Sequence, residues 1–146
     1  MSNIDILLVE DNPADARLTF EALKDGKLAN YKQIHHVTDG EQAINFLTQQ
    51  PPYETAIRPD LVLLDINMPK VNGMEVLKYI REHETLSGLP VVMLTTSQSE
   101  EDIMRSYDLH ANCYVSKPVD FQTFVDVVGK IEDFWFTVVK LPKPRN

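Results

Sequence analysis

The sequence predicts a doubly wound α/β fold, a parallel sheet covered by helices on both faces. Two observations carry that expectation: short apolar runs alternate strictly with segments of helical period, and at least three of the runs lack a polar face. An antiparallel strand with one wet face alternates apolar and polar residues, whereas a strand apolar throughout belongs to a parallel sheet sandwiched by helices. At 146 residues, 43% hydrophobic and 25% charged, the chain suits one domain with a single core.

Five runs read as strands: Ile4 to Val9, Tyr31 to Val37, Leu61 to Leu64, Val91 to Leu94 and Cys113 to Ser116. The first helix opens at Asn12-Pro13, an N-cap followed by proline at N1, and Leu18 and Ala22 stand four apart on its expected buried face. Ala43, Ile44 and Leu47 give the second helix an apolar face, and Met74, Leu77 and Ile80 step by three in the third. Ser99 to Asp102 resembles a capping box for a fourth helix. Asp120 can cap a fifth, whose stripe is Phe121, Phe124, Val125, Val128, Ile131 and Trp135. The segment from Thr48 to Pro59 is long and turn-rich and is expected to be a solvated excursion.

The formal net charge of −8 disfavours nucleic acid and anionic lipid as partners, leaving a protein or a cation. No apolar stretch is long enough to span a bilayer, and the first residues, Met1-Ser2-Asn3-Ile4-Asp5, lack a secretory pattern, so the cytoplasm is the expected compartment. Cys113 is the only cysteine, in the apolar context Cys113-Tyr114-Val115, which excludes an intrachain disulfide and a cysteine-rich metal site.

Right-handed crossovers place the carboxyl ends of all the strands on one edge, and ligands of open α/β sheets bind at that edge. The expected strand ends carry Glu10-Asp11, Asp65, Thr95-Thr96-Ser97 and Lys117-Pro118. Two unit charges about 4 Å apart repel by about 4 kcal/mol at an effective dielectric near 20, so clustered carboxylates need a cation. Hard oxygen donors without His or Cys favour Mg²⁺ or a similar ion such as Mn²⁺. Lys117 and Thr95 add a positive charge and a hydroxyl suited to phosphoryl oxygens, which makes Asp65 the natural nucleophile for an acyl phosphate. Taken singly, Asp11 suits a helix cap, Thr95 a backbone-bonded hydroxyl and Lys117 a solvated charge. Their joint occurrence at the ends of different strands favours the chemical reading.

These residues resemble the motifs of receiver domains of two-component response regulators from about Ile4 to Gly129: Leu7-Leu8-Val9-Glu10-Asp11-Asn12, Asp65-Ile66-Asn67-Met68-Pro69 with Gly73, Leu94-Thr95-Thr96-Ser97, and Tyr114-Val115-Ser116-Lys117-Pro118. The resemblance implies a flavodoxin-like sheet in the order 2-1-3-4-5 and a phosphoryl group accepted on Asp65 from a phosphohistidine of a sensor kinase. It implies Mg²⁺ held directly by Asp11 and Asp65, by Glu10 through water and by the backbone carbonyl of Asn67. Thr95 and Lys117 would contact the phosphoryl oxygens, Tyr114 would be the aromatic switch, and Asn67 and Ser97 match positions that tune phosphate loss. A cis peptide before Pro118 is a common family feature. The four histidines read as structural or exposed, so the donor histidine belongs to the partner. The implied protein is no enzyme beyond transfer to its own aspartate and slow dephosphorylation.

A rival is an aspartyl-phosphate hydrolase of the haloacid dehalogenase type, but such enzymes need a second aspartate where this chain has Asn67. A nucleotide-binding module is disfavoured because no Gly-rich phosphate loop follows the first strand. The receiver is expected over residues 1–136, with a tail over 137–146. Phe134-Trp135-Phe136-Thr137-Val138-Val139 is more apolar than one short helix hides against a sheet, which favours a homodimer through the last helix and the tail over a tail packed back on its own domain. That tail, the 48–59 segment and Asn12-Pro13-Ala14-Asp15 are similar to the single-domain regulators of bacterial and cyanobacterial phytochromes. The narrower resemblance implies a phytochrome kinase as donor and an unidentified protein as target.

Overall fold

The computed structural model describes residues 5–25, 34–68, 70–95, 111, 113–117, 122 and 126. Its elements alternate as expected from β1 to β4: β1 (Ile6–Val9), α1 (Pro13–Asp25), β2 (Ile34–Val37), α2 (Gly40–Leu47), β3 (Leu61–Asp65), α3 (Gly73–Glu82) and β4 (Val91–Thr95), with β5 (Cys113–Ser116) the last strand. The strands form one five-stranded sheet in the order β2-β1-β3-β4-β5. Every neighbouring pair is parallel. β1, β3 and β4 are buried along their whole length, as strands covered on both faces must be.

Helix starts follow local chemistry. Asn12 Oδ1 accepts a hydrogen bond from the Asp15 N–H at 3.0 Å, which caps α1 just before Pro13. Asp39 caps α2 through the Gln42 N–H, and Asn72 forms a capping box with Glu75 at the start of α3. Gln122 and Asp126 are helical, and the Gln122 side chain donates to Asp126 Oδ1 at 3.0 Å across one turn.

The chain moves one way from β1 to β2 and the other way from β2 to β3 and β4. Right-handed crossovers therefore put α1 on one face and α2 with α3 on the other. The strand residues sort accordingly. Leu7, Val9, Val62, Leu64, Val91 and Met93 share a buried cluster with Phe46 and Leu47 of α2 and with Val76, Leu77 and Ile80 of α3. The alternate residues Ile6, Leu8, Leu61 and Leu63 face α1, where Ala16 and Thr19 are buried.

Two expectations change here. Leu18 is 46% exposed rather than part of the buried face of α1. The Asn12 cap sets the rotation of the helix so that Ala16 faces the sheet, and a residue two positions on lies about 200° around the axis. The 48–59 segment is mostly exposed, as expected, but it is anchored at three points rather than free. The Tyr53 ring packs against Phe46, tilted by 55° with centroids 5.4 Å apart. Tyr53 and Ala56 pack on the core, Gln49 Nε2 donates to the Ala56 carbonyl at 2.6 Å, and Arg58 donates to the Thr85 carbonyl at 2.8 Å. The helices expected after Ser99 and Asp120, the apolar stripe and the tail 137–146 lie outside the described residues, apart from Gln122 and Asp126. Among the described residues no helix is long and apolar enough to cross a membrane.

Candidate functional site

The register pairs Val9 with Leu64, so Glu10 and Asp65 are the next residues on neighbouring strands. Both continue the series that faces α1. They stand at the point where strand order reverses, with β1 and β3 the adjacent strands whose connections diverge. One carboxylate oxygen from each of Glu10, Asp11 and Asp65 lies within 4.8 Å of the other two. Glu10 is 0% and Asp65 1% exposed, whereas Asp11 is open to solvent.

Lys117 reaches this cluster from the end of β5, where its N–H donates to the Thr95 carbonyl at 2.7 Å. The ammonium, 8% exposed, donates to both Glu10 oxygens at 3.2 Å and lies 3.2 Å from Asp65 Oδ1. It also pairs with Asp15 Oδ2 at 3.0 Å. Despite the ammonium's proximity, the geometry at Asp65 is not that of a hydrogen bond, and among the described residues neither Asp65 oxygen accepts one. Burial, reinforced by the Glu10 charge and opposed by Lys117, pushes the Asp65 carboxyl up to about 7. Burial on its own lowers the pKa of Lys117, but Asp15, Asp65 and Glu10 outweigh it and hold the ammonium above the usual lysine range.

This donor set fits a hard divalent cation. Three carboxylates converge, two of them buried, and Asp65 holds two buried oxygens with unused lone pairs. The Lys117 ammonium does not neutralise three negative charges, and burial without neutralisation is costly. Oxygen donors without nitrogen or sulfur select ions of the Mg²⁺ and Mn²⁺ class.

The loop after Asp65 is clamped by two close backbone approaches. Gly73 donates its N–H to the Ile66 carbonyl at 2.8 Å, and a Cβ there would run into the Asp65 carbonyl oxygen. At Gly40 a Cβ would collide with the Val71 carbonyl. Between them Ile66 and Met68 are buried, and Lys70, at φ 66°, pairs with Glu41 at 3.4 Å. Asn67, exposed, therefore sits in a loop held at both ends.

Thr95 closes β4 at 2% exposure, and Tyr114 is half-buried against the core beside Met93. The structure thus gathers Glu10, Asp11, Asp65, Asn67, Thr95 and Lys117 at one edge, with Tyr114 three residues before Lys117 on β5. Ser97 and Pro118 lie outside the described residues. Asp15 was not among the expected site residues. An acidic residue in the first turn of a helix reads as a partner of the helix dipole, and only its position three residues after the Asn12 cap hints that it turns back toward the strand ends.

A parallel sheet in this order, with an acidic triad and a lysine at its switch point, defines a receiver-type α/β protein. The chain belongs to the response regulator receiver domain family, whose model matches residues 6–129. It is 45% identical over 137 residues to the response regulator Rcp1 of Synechocystis sp., covering 94% of this chain and 92% of the relative. Three solved structures are similar. The bacteriophytochrome response regulator RtBRR has a TM-score of 0.84 at 40% identity, covering 99% of this chain and 87% of that one. The phosphorylated cyanobacterial phytochrome response regulator RcpA has a TM-score of 0.77 at 45% identity, with coverage of 97% and 99%. A Mn²⁺-bound form of Rcp1 has a TM-score of 0.70 at 44% identity, with coverage of 95% and 99%.

Proposed function

We propose that the chain is a response regulator receiver that accepts a phosphoryl group on Asp65 from a sensor histidine kinase in a Mg²⁺-dependent reaction. Receiver domains take phosphoryl groups from histidine kinases. The observation that carries the reading is Asp65 itself, a buried carboxylate whose two oxygens accept no hydrogen bond among the described residues, beside two further carboxylates and 3.2 Å from an ammonium. Folding does not select such a group for stability.

Glu10, Asp11, Asp65 and the Asn67 carbonyl would hold Mg²⁺ or Mn²⁺, whose charge would offset that building up on the phosphoryl oxygens. An Asp65 oxygen attacks phosphorus, the bond from phosphorus to the kinase imidazole breaks, and the departing imidazole takes up a proton from solvent. The Lys117 ammonium and the Thr95 hydroxyl receive the transferred oxygens. Water later attacks the acyl phosphate, at a rate set by the side chains of Asn67 and Ser97, and returns the carboxylate. As Thr95 is drawn inward, Tyr114 turns toward the core and changes the surface around β5.

The names of the relatives support a phytochrome kinase as donor. The output is contact with a downstream protein or onward phosphate relay, by a receiver over 1–136 that dimerises through its last helix and the 137–146 tail in the cytoplasm. Intact-mass analysis after incubation with acetyl phosphate tests the reading. One phosphoryl adduct that requires both Mg²⁺ and Asp65 supports it. An unlabelled native chain, or an adduct that survives Asp65→Asn, refutes it.

A further inference from the structure

The Lys117 ammonium has three N–H donors and faces four carboxylate oxygens: two of Glu10, one of Asp15 and one of Asp65. Among the described residues only the Glu10 contacts have hydrogen-bond geometry, and of the two remaining ion pairs the shorter is to Asp15, at 3.0 Å against 3.2 Å to Asp65. Asp15 stands on the first turn of α1, an element separate from the strand that carries Asp65, so the ammonium bridges the two. We propose that Asp15 is a positioning residue: it tethers Lys117 to α1 in the unphosphorylated chain and releases it to the phosphoryl oxygens when Asp65 is modified. The inference rests on the reading of Asp65 as phosphoacceptor and adds a residue to that reaction.

Differential burial decides which ion pair yields. A phosphoryl group brings about two negative charges to Asp65, and Lys117 must turn toward them. Its bond to Glu10 is held in place because Glu10, 0% exposed, has no access to replacement water. Asp15 is 29% exposed and is rehydrated as its partner leaves, so the pair with Asp15 is the one that gives way at little cost. The tether therefore opposes phosphorylation weakly in the resting chain. It also ties the first turn of α1 to the state of Asp65, since the same Asp15 whose side chain holds Lys117 donates its N–H to the Asn12 cap.

The test uses beryllofluoride with Mg²⁺ as a phosphoryl mimic, its binding followed by NMR on the full chain. Asp15→Asn should tighten the mimic about threefold, the size of a half-exposed ion pair. Asp15→Glu, which restores the charge, should return the affinity toward native. In a Lys117→Met background the Asp15→Asn effect should vanish, because the residue acts through the ammonium. Asp15→Ser serves as a second uncharged variant should Asp15→Asn disturb the helix start. Native-strength binding in both uncharged variants, or an effect that persists without Lys117, overturns the tether. Absence of mimic binding on the native chain overturns the phosphoacceptor reading and the tether with it, which separates the two failures.

Discussion

Asp60 and Asp65 flank the same strand, five residues apart, and meet opposite fates. Asp60, half-buried just before β3, accepts the Asp5 N–H at 2.9 Å through Oδ2 and donates its own N–H to the Asp5 carbonyl at 2.7 Å. It pins the start of β1 to the start of β3. Asp65, at the other end, is more deeply buried and accepts no hydrogen bond among the described residues. The sheet register supplies Asp60 with a backbone donor, whereas the same register gives Asp65 a second carboxylate, Glu10, as neighbour. One aspartate serves stability, and the other is left short of hydrogen-bond partners among the described residues, which under the proposed function leaves it open to a cation and a phosphoryl group.

The sharpest way to break this contrast is to make the same change at both ends. Asp65→Asn should abolish the acetyl phosphate adduct in the mass spectrum. Asp60→Asn should leave the labelling rate within about twofold of native and lower unfolding free energy by about 1 kcal/mol, the size of one backbone hydrogen bond to a charged acceptor. A labelling defect in Asp60→Asn would show that both ends serve the site.

Gly73→Ala presses a methyl group against the Asp65 carbonyl. Overpacking against rigid backbone should cost about 3 kcal/mol in urea denaturation and also slow labelling, because the displaced group belongs to Asp65, the proposed phosphoacceptor. Gly88, whose Cβ would meet nothing within 4 Å, is the control, and Gly88→Ala should leave both readouts near native. Mg²⁺ at a hundredfold above its dissociation constant should add about 2.7 kcal/mol to native stability, and chelator should remove it. Asp65→Asn should lose most of that gain, while Asp60→Asn keeps it.

The smallest effect is on the pH profile of the chain in chelator. The Asp65 carboxyl rises from 3.8 unfolded to about 7 folded, so between those values the folded state holds a proton that the unfolded state has released. Stability then falls as pH rises through that window, because the slope follows protons bound unfolded minus folded. The benefit of a protonated Asp65 is complete below the unfolded value and gone above about 7. Asp65→Asn should flatten this segment of the curve, and an unaltered slope in thermal melts between pH about 5 and about 8 would sink the explanation.

Much of this was legible in the linear chain because it rests on local physics. The run Leu61 to Leu64, apolar at every position, marks a strand with no wet face, and β3 is that strand extended by Asp65. Asn12-Pro13 marks the start of α1 because a cap and its first turn are chemistry among neighbours. The strand-end acids were legible for a topological reason: any right-handed alternation of strands and helices brings the same ends to one edge. The 48–59 segment is largely exposed, as its turn-rich composition suggests, but composition does not say where Tyr53 lands, and its ring packs on Phe46. Leu18 was misplaced because spacing defines a stripe without saying which way the stripe faces.

The sequence by itself determined which groups are available: the strands, their caps, three acids, a hydroxyl and a lysine at strand ends. Only the tertiary structure decided how they act on one another. Lys117 and Glu10 are 107 residues apart in the chain and 3.2 Å apart in space, and Asp15 enters the site only because α1 packs on the face toward which Glu10 and Asp65 point. Electrostatic energy depends on distance and on access to water, and neither exists before the chain has folded.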